Sequence, residues 1–326
     1  MKNGERFLRV VVMLAGLAGF AFGQAMISAK SGLIHYVEGR VLLDGKPAEV
    51  KFGVFPHMRD SSELRTEEGR AEVLLTPGAF LRVAENSSLR LVSSQLADTR
   101  LELMSGSVLL ECAELLRDNA VTLTYKDATI ALRKNGVYRL NAEPAEVRVY
   151  DGEALVEQGG QSLAVKKGKL LPLDGLFIVQ KFDPQTGDAL YRWAKRRAEY
   201  LAMANLSAAK SIRDSGLSWQ TSGWRWNPYF GMFTFVPWRG SWNSYWGYRY
   251  WSPRTVYVAY QPSVQASSGG WDSSRSYNPS LGYSTVGQTS AGTSGTIASS
   301  GAPTAASSSS TASVPRESGQ AGGRGR

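Results

Sequence analysis

Short runs in which apolar and polar residues alternate dominate residues 66–173, and these runs break repeatedly at glycine. The alternation places one row of side chains on a buried face and the other row in water, which is typical of β-strands. Glycine supplies the positive φ angle that tight turns need, so each unit predicts a strand, a turn and a second strand. The near-regular spacing of these glycines favours a stacked or coiled β architecture. They are Gly106, Gly136, Gly152 and Gly168.

The same kind of pattern extends toward the N-terminus. Residues 36–46 predict a strand that enters an Asp-Gly turn, and residues 49–55 form a second apolar run. We expect residues 24–175 to form one β domain, because turn signals recur at short intervals and no long helical period interrupts them. The predicted fold class is mainly β, with stacked hairpins, a solenoid-like coil and a sandwich as the open alternatives.

A helical period replaces the alternation further along the chain. Leu190 and Trp193 begin an apolar stripe at helical spacing, and Asp188 is placed to cap the helix N-terminus. The pattern predicts one amphipathic helix within residues 184–214 that packs its stripe on the β domain. Its basic residues favour a solvated face over a lipid-binding face, because the stretch is short and its charge mix is ordinary.

Residues 219–260 form an irregular segment by pattern and are unusually rich in aromatic residues, since seven of the nine tryptophans lie there. Three interpretations remain open: a face that stacks on sugars, a patch that docks a protein, or a cover that packs on the β domain and the helix. A coplanar exposed row of rings would favour the glycan, a compact exposed patch would favour the protein, and buried rings would exclude both. The candidate binding surface comprises Trp224, Trp226, Tyr229, Trp238, Trp242, Tyr245, Trp246 and Trp251.

Both ends of the chain differ from the segments between them. Residues 1–23 combine basic residues, a short apolar run and a small-residue cleavage pattern, which predicts a secretory signal peptide. Residues 261–326 are rich in Ser, Gly, Thr and Ala and predict a disordered tail, because few apolar residues remain to offset the ordering entropy. No later segment approaches the roughly 20 apolar residues of a membrane helix, so no transmembrane span is expected in the mature chain. We therefore expect secretion across the inner membrane and a periplasmic or cell-envelope location.

Five short units of the β region lie at residues 69–75, 77–91, 101–108, 135–138 and 147–156. In their order and spacing they resemble the FecR domain. The resemblance implies an extracytoplasmic β domain, best known from regulators that relay a signal from an outer-membrane receptor to a cytoplasmic sigma factor. It implies no catalytic residues. The sequence contains neither the cytoplasmic anti-sigma segment nor the transmembrane helix of those regulators, so direct transmembrane signalling is not expected.

No group of residues predicts catalysis. His35 and His57 have no further histidine or cysteine at a metal-ligand spacing, so isolated turn or core histidines are favoured. Cys112, the single cysteine, lies in a strand pattern and is expected to be a buried small hydrophobe. The sequence contains no nucleophile elbow, phosphate-binding loop or dinucleotide motif. We expect no catalytic, cofactor-binding or metal site.

The net charge of +9 is spread along the chain and fits attraction to anionic envelope polymers as well as plain solubility. Two arginines near the C-terminus are too few to predict nucleic-acid binding. The sequence predicts a non-enzymatic protein-interaction or scaffolding module of the envelope, whose link to cell-surface signalling rests on the resemblance. The alternative is a glycan- or cell-wall-binding protein. The expected partner is accordingly an envelope protein or a cell-wall polysaccharide.

Overall fold

The computed structural model describes residues 31–115, 119–185 and 187–260. The predicted signal peptide at 1–23 and the predicted tail at 261–326 lie outside these residues. The mainly β fold class is confirmed, because fifteen strands join in one continuous sheet. These strands are β1 (Leu33–Leu43), β2 (Lys46–Pro47), β3 (Glu63–Leu74), β4 (Ala79–Val83), β5 (Ser88–Gln95), β6 (Asp98–Ser105), β7 (Ser107–Cys112), β8 (Ala120–Tyr125), β9 (Ala128–Leu132), β10 (Gly136–Ala142), β11 (Ala145–Asp151), β12 (Glu153–Gln158), β13 (Gln161–Lys166), β14 (Lys169–Pro172) and β15 (Gln180–Lys181).

The long sheet folds over on itself into two layers. β3 joins them, because residues 63–65 pair with β5 while residues 71–74 pair with β4. β1 runs antiparallel along the whole of β3. We call β5, β6, β8, β9, β12 and β13 the first layer, and β4, β7, β10, β11, β14 and β15 the second layer. Apolar side chains from both layers fill one core between them, including Leu91, Ile130 and Val147.

The chain passes from one layer to the other at the four glycines that interrupt the sequence pattern. Each glycine separates two strands that pair with other partners and not with each other. The predicted turns are therefore corners between layers rather than hairpins. Because the chain returns repeatedly to the first layer, and β6 pairs in parallel with β8, the domain is a coiled two-layer sandwich.

Three of the four corner glycines have the predicted backbone geometry. The φ angle is +77° at Gly106, +94° at Gly152 and +71° at Gly168. The prediction is wrong for Gly136, which is the first residue of β10 and has no positive φ. Close approach requires glycine there instead, because a Cβ atom would lie 2.0 Å from the carbonyl oxygen of Asp151.

The second layer is buried on both of its faces at β4, β7 and β10. In β4, Leu81 points into the core between the layers, while Phe80 and Arg82 point outward and are also buried. The helix α1 (Ala189–Asp214) packs on this outer face through Trp193 and other residues. The prediction of a helix is confirmed. Its buried stripe consists of Leu190, Trp193, Ala194, Arg197, Ala198, Leu201, Ala202, Ala204, Asn205, Ala208, Ala209 and Ile212.

The N-terminus of α1 is capped as the sequence predicts. The Asp188 side chain accepts a hydrogen bond of 2.9 Å from the backbone N–H of Tyr191, which satisfies one of the free donors of the first turn. The helix begins directly after this residue, at Ala189. Among the residues that the structure describes, no helix is both long and apolar enough to cross a membrane.

The aromatic-rich segment is more ordered than its sequence pattern predicts. β16 (Gly223–Asn227) pairs with β17 (Met232–Val236), and β18 (Ser241–Asn243) pairs with β19 (Arg249–Trp251). A 3-10 helix follows at Val256–Tyr260. The hairpins are ordered because their rings pack against the apolar surface of the second layer and α1. Residues distant in the chain form that surface, so a short stretch of sequence does not reveal it.

Candidate functional site

The eight aromatic residues of the candidate surface do not share one exposed face. They come from different turns and strands of the segment, and they differ in how deeply they are buried. Three are buried (Trp224, Trp226, Trp251), four are partly buried (Trp238, Trp242, Tyr245, Trp246), and Tyr229 is 87% exposed.

Several of these rings pack against the second layer and α1. Trp224 contacts Phe80 of β4 with ring centroids 5.1 Å apart. Trp246 contacts Tyr191 of α1 at 5.7 Å. These contacts match the interpretation of the segment as a cover. The hypothesis that the eight residues bind a ligand stays a prediction.

Exposed apolar side chains occur on two turns, at residues 51–54 and 228–231, which meet where the Phe52 ring lies against Gly231. Phe52 is 74% exposed, Val54 is 63% exposed and Tyr229 is 87% exposed. Phe230 is partly buried beside Tyr229, with ring centroids 5.3 Å apart. The Phe52 ring lies against Gly231, where a Cβ atom would sit 3.1 Å from the ring. We call Phe52, Val54, Tyr229 and Phe230 the aromatic patch.

Two tight turns position the aromatic patch. Lys51 and Val54 exchange backbone hydrogen bonds of 3.0 and 2.9 Å, which places Phe52 at the tip of a small hairpin. The Asn227 side chain accepts a hydrogen bond of 3.0 Å from the backbone N–H of Tyr229, an Asx-type turn. Sequence reasoning named Tyr229 and missed Phe52. The signal for Phe52 in the sequence was its position directly before Gly53 in a short turn.

One buried ring and two partly buried rings lie beneath Phe52 of the aromatic patch and hold it in place. The Phe52 ring meets Trp226 edge-on at 5.5 Å, and Trp226 meets Phe233 at 5.2 Å. Phe55 fills the space beside both rings, at 5.7 Å from Trp226 and 5.4 Å from Phe233. Edge-to-face contacts of this kind favour fixed ring orientations. The exposed Phe52 ring therefore rests on a fixed aromatic base.

A buried network of charged side chains lies between the second layer and α1. Glu72 Oε1 accepts hydrogen bonds from Arg197 Nη2 at 2.9 Å and from His35 Nδ1 at 3.1 Å. Glu72 Oε2 accepts from Arg82 Nε at 3.0 Å. Arg82 Nη1 also donates to Glu111 Oε2 at 2.8 Å. We call these five residues the charged network, and they tie four strands to the helix.

Hydrogen bonding fixes the protonation of His35 in the charged network. His35 Nε2 accepts a hydrogen bond of 2.9 Å from the backbone N–H of Phe233, so the ring is neutral and carries its proton on Nδ1. Burial lowers the pKa of His35, and this outweighs the opposite effect of Glu72. Protonating Nε2 would break the bond to the Phe233 backbone.

The two carboxylates of the charged network have opposite pKa shifts. Burial alone would raise the pKa of Glu72, but Arg197, the hydrogen bond from His35 and Arg82 together hold it well below its usual range. Burial raises the pKa of Glu111, and Arg82 opposes this only in part. Because Glu72, Arg82 and Glu111 are fully buried, the network stabilises packing and is closed to a substrate.

The described residues bring together no metal-binding group of three or more His, Cys, Asp or Glu side chains. Cys112 is fully buried, and burial raises the pKa of its thiol to about 12. Its thiol therefore stays protonated at neutral pH and packs as a small apolar group, as the sequence predicts.

Comparison with known proteins confirms the resemblance inferred from the sequence. Residues 62–155 match the family described as FecR protein. Two crystal structures of a proposed anti-sigma factor from Parabacteroides distasonis ATCC 8503 are similar to this chain, at 13% and 12% identity and a TM-score of 0.33 each. Each match covers 38% of this chain and 61% of the other, so this chain spans less than two thirds of the length of these structures. A search of curated proteins found no match.

Proposed function

We propose that this protein is a non-enzymatic, extracytoplasmic interaction module that docks an envelope protein on the aromatic patch. The exposure of the aromatic patch carries the proposal, together with the contact of Phe52 with Gly231 that joins its two turns. The FecR match over residues 62–155 supports it, because the resemblance implies a domain that relays signals by contact with other proteins. The predicted signal peptide supports the location outside the cytoplasm.

The physical chemistry of the aromatic patch suits a protein partner. Phe52 and Tyr229 bring large apolar areas to an interface, and the buried Trp226 ring beneath Phe52 already holds its orientation. Phe52 therefore loses little side-chain entropy on docking, and binding releases water from an apolar surface. Exposed aromatic clusters of this kind are typical centres of protein interfaces. The partner that fits is a protein with an apolar pocket that accepts the Phe52 ring.

A glycan remains the second candidate, and one observation favours it. Tyr229 is the most exposed ring of the eight candidates, at 87%, and its backbone is held by Asn227. A sugar ring could stack on its open face. The aromatic patch offers no coplanar row of rings, because its Tyr229 and Phe230 rings meet at 70°.

Site-specific photo-crosslinking in cells tests the proposal. A benzophenone side chain placed at position 52 is expected to give one defined protein adduct. The same probe at position 200 is the control, because Tyr200 is a 54% exposed aromatic residue on α1. Equal adducts from both positions, or none from position 52, would contradict docking at the aromatic patch. A polysaccharide adduct would move the assignment to the glycan.

Binding measurements then establish whether the adduct reflects affinity. Phe52→Ser is expected to weaken binding of the purified partner by roughly tenfold or more, since a central aromatic anchor contributes about 1.4 kcal/mol or more. Tyr200→Ser should leave that affinity unchanged. If both substitutions have the same effect, the aromatic patch is not the docking surface.

A further inference from the structure

The first layer ends in a strand that is paired on one side only. β13 (Gln161–Lys166) forms an antiparallel ladder with β12, and no other described strand pairs with it. Its side chains at Ser162 and Ala164 are exposed, while Val165 is buried and anchors the strand. The free edge therefore carries unpaired backbone donors and acceptors, which can accept another strand.

Lysines gather at the corner that follows β13. Lys166, Lys167 and Lys169 flank Gly168, and the register places Lys169 of β14 directly opposite Lys181 of β15. β15 is the strand that ends the second layer, so the lysines lie where both layers end. We call Lys166, Lys167, Lys169 and Lys181 the lysine corner.

Carboxylates neutralise the lysine corner only in part. Lys167 Nζ lies 3.0 Å from Asp151 Oδ1. Lys166 pairs across the ladder with Glu153, but that carboxylate also binds Lys134 Nζ at 2.9 Å. Lys169 and Lys181 form no ion pair with any described residue. An excess of positive charge therefore remains beside the free edge.

Protection against aggregation explains the position of Lys166 but not the positions of Lys169 and Lys181. A charged residue on an edge strand discourages pairing between copies, and Lys166 on β13 can serve that purpose. Lys169 and Lys181 lie on neighbouring strands that are already paired with each other. Like charges placed directly opposite each other destabilise a sheet. Their position is explained if an anionic group from a partner lies between them.

We propose that the free edge of β13 and the lysine corner together bind an extended acidic peptide segment of a partner protein as an added strand. The peptide backbone pairs with β13, and its carboxylates contact Lys169 and Lys181. Backbone pairing supplies an extended geometry, and the lysines supply the preference for acidic sequence. This surface is formed by different elements from the aromatic patch, and the inference does not depend on the proposed function.

Fluorescence anisotropy with three labelled octapeptides tests the inference on the full chain. An alternating Glu-Val peptide has both the charge and the backbone donors that the site requires, and it is expected to bind. The same Glu-Val peptide methylated on every backbone nitrogen has the same charge without backbone donors, so it should bind roughly tenfold more weakly or not at all. An alternating Lys-Val peptide should not bind. Equal binding of the Glu-Val peptide and its N-methylated form would overturn strand addition.

Charge reversal in the protein is a second test of the inference. The double variant Lys169→Glu/Lys181→Glu is expected to weaken Glu-Val binding by roughly tenfold or more. The matched control is Lys46→Glu/Lys195→Glu, which makes the same change in net charge at exposed lysines of β2 and α1. If the control loses as much affinity as the double variant, the attraction is general and the inference is wrong.

Amide hydrogen exchange locates the bound peptide. Saturation with the Glu-Val peptide should slow exchange at the exposed backbone of Gln161–Lys166. Protection confined to other strands would overturn the assignment to β13. A dimer that forms through β13 without peptide, seen by sedimentation and abolished by the peptide, would identify a second copy as the natural occupant and would also overturn it.

Discussion

At the residue scale, Glu72 shows how a buried charge is tolerated between a sheet and a helix. Its two oxygens accept hydrogen bonds from Arg82, Arg197 and His35. Removing charges from water is costly, and the hydrogen bonds to both oxygens of Glu72 offset part of that cost. The charged network thus ties α1 to the sheet, because Arg197 on the helix bonds to Glu72 on β3.

The neutral state of His35 makes stability depend on pH. Its folded-state pKa lies below its ordinary value, so its contribution to stability is complete above about pH 6.5 and is lost as the pH falls through the folded-state pKa. Glu111 acts in the opposite direction, because its raised pKa favours the folded state as the pH falls. We therefore expect the unfolding free energy of the wild type to fall by about 1 kcal/mol more than that of His35→Gln between pH 7 and pH 5. Glutamine can still accept from Phe233 and donate to Glu72.

Urea unfolding at the two pH values measures this difference. His57→Gln is the control, because it removes the other histidine and leaves His35 in place. The control should keep the pH dependence of the wild type. A His35→Gln variant with the same pH dependence as wild type would show that His35 is not the group that titrates.

The corner glycines differ in the reason for which glycine is required, and substitution should reveal it. Gly168→Ala places a side chain in open space at a φ of +71°, so it should cost about 1 kcal/mol of unfolding free energy. Gly136→Ala places a Cβ atom 2.0 Å from the Asp151 carbonyl oxygen and should cost about 3 kcal/mol. Thermal or urea unfolding compares the two variants. Equal losses would mean that close approach at Gly136 is relieved at little cost.

At the element scale, α1 holds the second layer on one side and the aromatic-rich hairpins on the other. Leu201 and Ala202 pack with Phe80 of β4 and with Phe235 of β17. The Thr234 side chain donates a hydrogen bond of 2.7 Å to the backbone carbonyl of Leu201. The hairpins are therefore part of the folded unit and close the outer face of the second layer.

Asn205 is the polar centre of this arrangement. It is fully buried, and its Nδ2 donates to the carbonyl oxygens of Phe235 at 2.9 Å and Trp251 at 3.0 Å. Its Oδ1 accepts from the backbone N–H of Trp251 at 2.6 Å. Asn205→Ala removes three hydrogen bonds to backbone groups of buried residues, so we expect a loss of about 3 kcal/mol in unfolding free energy. Urea unfolding followed by tryptophan fluorescence measures it.

Met203→Ala is the matched control for Asn205→Ala. Met203 lies two residues away on the same helix and is 38% exposed, so its truncation should cost less than about 1 kcal/mol. If the two variants have equal stability, the hydrogen bonds of Asn205 do not hold the hairpins to the helix.

At the scale of the whole molecule, the sandwich, α1 and the aromatic-rich hairpins fall within one compact unit. The two proposed surfaces belong to different parts of it. The aromatic patch comes from the turn at 51–54 and the turn at 228–231, while the free edge and the lysine corner come from β13 to β15. A protein with two such surfaces could bring two partners together, as a scaffolding module does.

Truncation separates the folded unit from the predicted tail. A chain that ends at residue 260 retains all of the buried residues described, so its melting temperature should match that of the full chain within error. A chain that ends at residue 218 loses the rings that cover Phe80 and should melt at least about 10 °C lower. Circular dichroism measures both. A large loss in the first truncation would refute the predicted tail.

The local pattern of residues determined the elements of this protein. Alternation predicts strands and helical spacing predicts α1, because both depend on neighbours only two to four residues apart. Asp188 as the helix cap, the FecR resemblance and the burial of Cys112 were all accessible in this way. For the candidate site, the local pattern identified Tyr229 and the aromatic-rich segment.

The tertiary structure alone decided how these elements meet. The corners between layers, the pairing of Glu72 with Arg197 and the contact of Phe52 with Trp226 join residues that are distant in the chain. Several sheet registers satisfy the same alternation, and only packing of all the strands and α1 selects one. Exposure of a ring is likewise a property of its distant neighbours. The local pattern therefore shows how many aromatic residues lie in the segment. Only the fold shows which of them pack on the β domain and α1 and which form the aromatic patch.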